Sequence, residues 1–292
     1  MKGFLHSVSV IAILALGGAL AAYSQTPVID PSRASLSSAS FATGQAVAPG
    51  SLVSIFGTNF ASSLTVAGSI PLSTSLANIQ VKFNGIAAPI GAVISDPTNG
   101  DQINVQMPWE ILPLLPPGTN GTVQVVVTRN NVASASQNVT VAPAAPGIFA
   151  ILLSGGVVVG SGHGQAIAYG NSDGIIAAPA GAITGLPTHP AKINDPLTLA
   201  ILATGLGQVN PPMQTGNNVT DGQVHPTVVT PTVMVGGVPA QVIFSGMTPQ
   251  FVGVYQINII IAPGTPTGDA VPLQIQMNGV KTADNVTIAV SN

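Results

Sequence analysis

Apolar and polar side chains alternate with a period of two along much of this chain. In residues 102–107, Ile103, Val105 and Met107 fall on one side, and Gln102, Asn104 and Gln106 on the other. Val271, Leu273, Ile275 and Met277 alternate with Pro272, Gln274 and Gln276, and Tyr255, Ile257, Ile259 and Ile261 repeat the pattern. Strict alternation predicts antiparallel strands with one face on a core and the other toward water. Tyr255 is in phase with the core positions. Asn84-Gly85, Gly236-Gly237 and Asn278-Gly279 punctuate the pattern with residues that accept positive φ, as tight hairpins require. Turn signals recur about every 8–12 residues, and no amphipathic helix of useful length intervenes, so the expectation is β-sandwiches. Pro272 has no N–H for a ladder, which argues for a strand at a sheet edge.

The pattern is written twice. Ser51-Leu-Val-Ser-Ile-Phe-Gly-Thr-Asn-Phe60 aligns with Leu197-Thr-Leu-Ala-Ile-Leu-Ala-Thr-Gly-Leu206, and Val81-Lys-Phe-Asn-Gly with Val233-Met-Val-Gly-Gly. Gln102-Ile-Asn104 matches Gln256-Ile-Asn258, and Asn138-Val-Thr-Val141 matches Asn285-Val-Thr-Ile288. The segments keep the same order in both halves. The fold expected is therefore all-β: two tandem immunoglobulin-like antiparallel sandwiches related by internal duplication. Their expected extents are residues 25–143 and 144–292, the second with a Gly-rich lead-in over about 154–190. Each half is long enough to bury a core of its own.

Residues 1–24 have a different character. Lys2 precedes an apolar stretch from Val8 to Ala22, and small residues mark cleavage sites at Ala19-Leu-Ala21 and Ala22-Tyr-Ser24. That order is a secretory signal peptide, with processing expected near Ala21–Ser24. The rival reading, an uncleaved anchor, needs about 20 apolar residues, and Gly17-Gly18 interrupts this shorter run. The expected mature chain is extracytoplasmic and has no membrane span.

Composition narrows the function. Only 5% of the 292 residues are charged, against roughly 25% in ordinary globular domains. Long solvated helices and charged tails are excluded. Six basic against nine acidic residues leave no basic footprint for nucleic acid. The absence of cysteine removes disulfides, thiolate metal sites and a thiol nucleophile.

Several segments carry a resemblance. Ala48-Pro-Gly-Ser-Leu-Val-Ser-Ile-Phe-Gly-Thr-Asn59, Gln102-Ile-Asn-Val-Gln-Met-Pro-Trp-Glu110 and Ala145-Pro-Gly-Ile-Phe149 form one set. Ala203-Thr-Gly-Leu-Gly207, Val235-Gly-Gly-Val-Pro-Ala240 and Phe251-Val-Gly-Val-Tyr-Gln-Ile-Asn258 form the other. Together they resemble an uncharacterised module of acidobacterial secreted proteins, and each half resembles the IPT/TIG variety of immunoglobulin-like domain. The resemblance implies the sandwich fold and an extracytoplasmic location. It brings no catalytic residues.

Candidate chemistry is sparse. Gly170-Asn-Ser-Asp-Gly174 satisfies the G-x-S-x-G pattern of hydrolase elbows, with His189 or His225 and Asp195 or Asp221 as conceivable partners for Ser172. An elbow needs a helix after it, and Pro179 and Gly181 interrupt the next stretch of chain. The segment reads as a β-turn. Gly160-Ser-Gly-His-Gly164 lacks the lysine and hydroxyl of a phosphate loop and reads as a connector. His163, His189 and His225 are too far apart for metal-ligand spacing and read as surface loop residues. Asp96-Pro-Thr-Asn-Gly-Asp101 breaks the EF-hand order and reads as a turn. A single glutamate, Glu110, offers no frame for a glycosidase pair. Asn120, Asn138, Asn218 and Asn285 stand in N-x-T sequons to which no function is attached. Trp109 is the sole tryptophan; it is a candidate partner contact, although packing on a core is the plainer role for a large aromatic.

The expectation is a non-catalytic module with no cofactor and no metal, binding a protein or neutral polysaccharide or acting as a spacer. Its uncharged outer faces suit neutral partners, since little charge is desolvated on contact. The alternatives are a secreted serine hydrolase using Ser172, or self-association through sheet edges that few charges guard. A pocket joining Ser172 to a histidine would favour the hydrolase.

Overall fold

The computed structural model describes residues 25–153, 163–283 and 285–292, with the side chain of His163 left out. The expected signal peptide and most of the Gly160–Gly164 segment lie outside the described residues.

The first half is built on β1 (Leu52–Thr58), β2 (Ile79–Phe83), β3 (Ile86–Ala88), β4 (Ile90–Ile94), β5 (Asp101–Gln106), β6 (Gly121–Arg129) and β7 (Gln137–Val141). A six-stranded sheet runs Val28–Ile29, β1, β5, β4, Thr65–Val66, with Leu36–Ser37 also on β1. A five-stranded sheet runs Val132–Ala133, β6, β2, β3, with β7 on β6. The inward positions of both sheets, such as Ile55, Ile103 and Val105 facing Val81, Phe83 and Val125, form one core.

The second half contains β8 (His163–Ala166), β9 (Ala168–Gly170), β10 (Leu199–Thr204), β11 (Thr232–Val235), β12 (Gln241–Met247), β13 (Tyr255–Ile260), β14 (Gly268–Met277) and β15 (Asn285–Ser291). Its seven-stranded sheet runs Thr188–His189, Ile176–Ala177, β9, β10, β13, β12, with Gly147–Ile148 on β10. Its eight-stranded sheet runs Ala150–Ile151, β8, β15, β14, β11, Val238–Pro239, with Ala191–Lys192 on β15 and Val280–Lys281 on β14. A second core lies between these sheets and includes the fully buried Tyr255. The described part of the Gly-rich stretch, 163–192, supplies strands to both sheets. Three of its pairings are parallel, whereas the strands of the first half pair antiparallel, with one parallel bridge at Val47–Val141.

The pairing of β1, β5 and β4 in the first half matches that of β10, β13 and β12 in the second down to the register. Ser54 pairs with Asn104 and Ile55 with Ile103; Ala200 pairs with Asn258 and Ile201 with Ile257. A bulge interrupts β4 between Ile90 and Ala92, and a bulge at the matching place interrupts β12 between Val242 and Phe244. The hairpin residues Asn84 and Gly85 have φ of 45° and 83°, and Gly236 and Gly237 have 58° and 81°. One further repeat was not evident in the sequence. The Ser134 hydroxyl accepts from Val127 N–H at 3.1 Å, and the Thr282 hydroxyl accepts from Ile275 N–H at 3.3 Å.

Two expectations are corrected. Val125 opposite Phe83 corresponds to Leu273 opposite Val235, but Gln137 lies opposite the former and Val286 opposite the latter. The last aligned segments are therefore offset by two residues, a slip that leaves every side chain on its own face. Pro272 is not on an edge strand, because β14 lies between β15 and β11. Its carbonyl accepts from Gly236 N–H at 2.7 Å. The nitrogen of a strand residue points the same way as its carbonyl. The missing donor thus faces the place where β11 has already ended in its glycine turn.

Candidate functional site

The junction between the two cores is polar and closed. Gln106 was expected on a water-facing side, yet it is fully buried, because the second half covers that end of β5. Its Nε2 donates to Gly50 O at 3.2 Å, and its Oε1 accepts from Gly216 N–H at 2.6 Å. Gly216 in turn accepts from Leu72 N–H at 2.9 Å. Thr204, also fully buried, accepts from Leu52 N–H at 2.9 Å and donates to Gly253 O at 2.7 Å. Thr215 accepts from Trp109 N–H at 3.0 Å and donates to Glu110 Oε2 at 2.7 Å. An apolar cluster of Ala39, Phe149 and Val254, with Leu52, Ile167 and Leu202 against it, completes the seam.

Trp109 opens the short 3-10 helix Trp109–Leu114 and packs, partly buried, against the core of the second half. Its ring lies on the bare α-carbon of Gly50, where an added Cβ would stand 2.1 Å from Cζ2. The indole Nε1 is buried without a partner. A neighbouring cleft of ≈ 190 Å³ is lined by Trp109, Leu112, Pro113, Val209, Pro212 and Met213, among others.

A larger cleft of ≈ 530 Å³ lies at the far margin of the second half and brings Ser172, Asp173 and His189 together. Asn171, Ser172 and Asp173 are the turn between β9 and Ile176–Ala177, with Gly174 N–H donating to Gly170 O at 2.8 Å. A strand, not a helix, comes next, so the hydrolase-elbow context is missing. His189 Nε2 is 2.9 Å from Asp173 Oδ2, and its Nδ1 is 2.9 Å from Pro190 O. A neutral imidazole carries one N–H and one acceptor nitrogen. Both nitrogens here face oxygen acceptors, the arrangement of an imidazolium. The Pro190 carbonyl and the Asp173 carboxylate hold the His189 pKa above its usual range. The Ile175 N–H and His189 hold Asp173 below its own. Neither ring nitrogen is left to take a proton from Ser172, which a serine nucleophile requires.

The remaining candidates are structural. His225 was expected on the surface but is buried, with Nδ1 2.7 Å from Pro211 O and Nε2 3.1 Å from Asp221 Oδ2. It is enclosed because the chain through residues 225–227 runs along β12, where Met247 N–H donates to His225 O at 3.0 Å and Thr227 N–H to Ser245 O at 2.8 Å. Asp96 caps its own turn through Thr98 and Asn99 N–H. The buried Asp101 accepts from Phe60 N–H at 2.8 Å and Ala61 N–H at 3.2 Å. Burial pushes the Tyr255 phenol well above its usual range, and its hydroxyl donates to Gly207 O at 2.5 Å. Asp195 lines the large cleft and accepts from Leu197 N–H at 2.9 Å. No cluster of three or more metal-ligating side chains occurs among the described residues, and no helix there is long and apolar enough to cross a membrane.

Residues 34–142 match the family model of the IPT/TIG domain. No curated protein matches the chain. Among solved structures, the chain is similar to the Escherichia coli adhesin FdeC at 12% identity and a TM-score of 0.23, covering 85% of this chain and 62% of that one. It is also similar to domains 5–6 of the S-layer protein SbsC at 14% identity and 0.21, covering 91% and 99%. Fibronectin(III)-like modules of Clostridium thermocellum CbhA match at 11% and 0.19, covering 91% and 95%. TM-scores this low lend no weight to a functional reading. The family match and the sheet topology agree on the fold: the chain is an all-β protein of tandem immunoglobulin-like sandwiches, the first of which matches the IPT/TIG domain.

Proposed function

We propose that this protein is a non-catalytic module of the cell envelope or extracellular space. It binds a protein or neutral polysaccharide, or holds other parts at a set spacing, after removal of residues 1–24. The observation that carries the reading is the seam. Buried side chains of Gln106 and Thr204 bond across it to backbone groups of the other half, so residues 25–143 and 144–292 act as two domains of one stiff unit. A stiff unit loses little conformational freedom when it binds or bears load. Its scarce charge suits uncharged partners. Trp109 in this reading contributes to the seam and lends one side of its ring to the adjoining cleft.

The test is a glycan array and an envelope pull-down with mature protein, beside Gln106→Leu. Retention of a defined glycan or envelope component supports the proposal; retention of none, with an enzymatic activity present, refutes it. N-terminal sequencing of exported material should begin between Ala22 and Gln25, and an intact Met1 would overturn the processing assignment.

One observation favours the hydrolase alternative, namely that Ser172 shares a cleft with His189 and Asp173. The doubly engaged imidazole speaks against it. Self-association through β4 or β12 is disfavoured because both are already covered, β4 by Thr65–Val66 and β12 by the chain through residues 225–227.

A further inference from the structure

The cleft that brings Ser172 and His189 together sits where the chain changes sheets. Thr188–His189 is the outermost strand of the seven-stranded sheet, and Ala191–Lys192 joins the eight-stranded one. Pro190 is the corner between them. The outermost strand is held by only two residue pairs, Ile176 with Thr188 and Ala177 with His189. So short a pairing contributes little by itself. Side chains reinforce it: the Thr188 hydroxyl donates to Pro179 O at 2.7 Å, and His189 spans from Pro190 O to the Asp173 carboxylate. Asp173 lies in the turn after β9, and its other oxygen accepts from Ile175 N–H at 2.9 Å. One ion pair thus ties the turn, the edge strand and the corner together, and all three border the cleft.

We propose that His189 and Asp173 form a pH-operated clasp that holds this edge of the sandwich closed in mildly acidic surroundings and lets it loosen in alkaline ones. The titratable side chains lining the cleft are Asp173, His189, Lys192 and Asp195. Lys192 opposes the charge on His189, while Asp195 is engaged by Leu197 N–H. The direction comes from linkage. His189 titrates above its ordinary 6.5, so its contribution is complete below 6.5 and is lost as pH rises through the raised value. Asp173 titrates below its ordinary 3.8, so its contribution is complete above 3.8 and is lost as pH falls through the lowered value. Between those limits both groups are charged. Side-chain exposures of 43% for His189 and 37% for Asp173 keep the effect local and modest.

The experiment is hydrogen exchange on the mature protein at about pH 6 and about pH 9, each amide normalised to its intrinsic rate, with the His189 ring followed by NMR. The expected result is a several-fold loss of protection in residues 170–175 and 188–190 at the higher pH, with β5 unchanged. In Asp173→Asn the ring should titrate nearer 6.5; the pH dependence of residues 170–175 should vanish, and that of 188–190, where the Pro190 carbonyl still holds the ring, should shrink. His189→Gln should remove that pH dependence as well. Wild-type protection that stays flat while the ring titrates would overturn the proposal. So would pH dependence of residues 170–175 that persists in Asp173→Asn, or loosening that extends to β5.

Discussion

Gly50 is the most exacting position in the seam, and replacing it with alanine tests the packing directly. Its φ of +78° lies in the left-handed region, where a side chain costs about 1–2 kcal/mol. The added methyl would stand 2.1–2.4 Å from three atoms of the Trp109 ring. Relieving such a clash in a packed interior costs about 1–3 kcal/mol more. The expected loss is therefore about 2–5 kcal/mol, because the two costs arise from different atoms and add. Gly85→Ala is the control. Its φ is +83°, and nothing lies within 4 Å of the new methyl, so only the backbone cost of about 1–2 kcal/mol applies. Denaturant unfolding followed by circular dichroism measures the difference. Because Trp109 is the only tryptophan, its fluorescence reports the seam alone. Gly50→Ala should shift the native emission to the red as the indole is displaced, and Gly85→Ala should leave it in place. Equal losses in the two variants, to within about 0.5 kcal/mol, with unchanged emission in both, would refute the packing assigned to Trp109.

Gln106→Leu leaves Gly216 N–H and Gly50 O without their side-chain partner in a buried seam; the expected loss is about 2–6 kcal/mol, from roughly 1–3 per orphaned group, measured by denaturant unfolding. The same variant should be cleaved sooner between the halves in limited proteolysis. Asp101→Ala strips the acceptor from Phe60 and Ala61 N–H and should cost about 1–3 kcal/mol, whereas a loss near zero would show that water replaces the carboxylate. Ser172→Ala removes a hydroxyl from an exposed turn, with an expected change within about 0.5 kcal/mol. Mature protein should show no Ser172 labelling by a fluorophosphonate probe, and stoichiometric labelling that disappears in the variant would restore the hydrolase reading.

Much of the fold was legible because strand burial has a two-residue period and a duplicated sequence repeats its errors and its turns together. The alternation at Ile103 and Val105, the hairpin residues and the pairing of Ser51–Phe60 with its counterpart are all matters of local pattern. The hydroxyl bonds of Ser134 and Thr282 were not legible, since they leave the alternation unchanged; a bulge shows only as a break in it, as at Ile90 and Val93, both buried though three residues apart.

What the sequence determined by itself is which face of each strand is apolar, and hence a pair of immunoglobulin-like sandwiches. What lies across the polar faces was left to tertiary structure. Gln106 reads like any outward glutamine, because the group that buries it, Gly216 N–H, is 110 residues away. Pro272 reads as an edge residue, because only the end of β11 shows that its nitrogen meets no missing ladder bond. His225 reads as a loop residue until the chain around it runs along β12. His189 meets Asp173 because a sheet edge folds 16 residues back on itself. Hydrophobic period is a property of neighbours along the chain, whereas polar partnership depends on which segments the completed fold brings together.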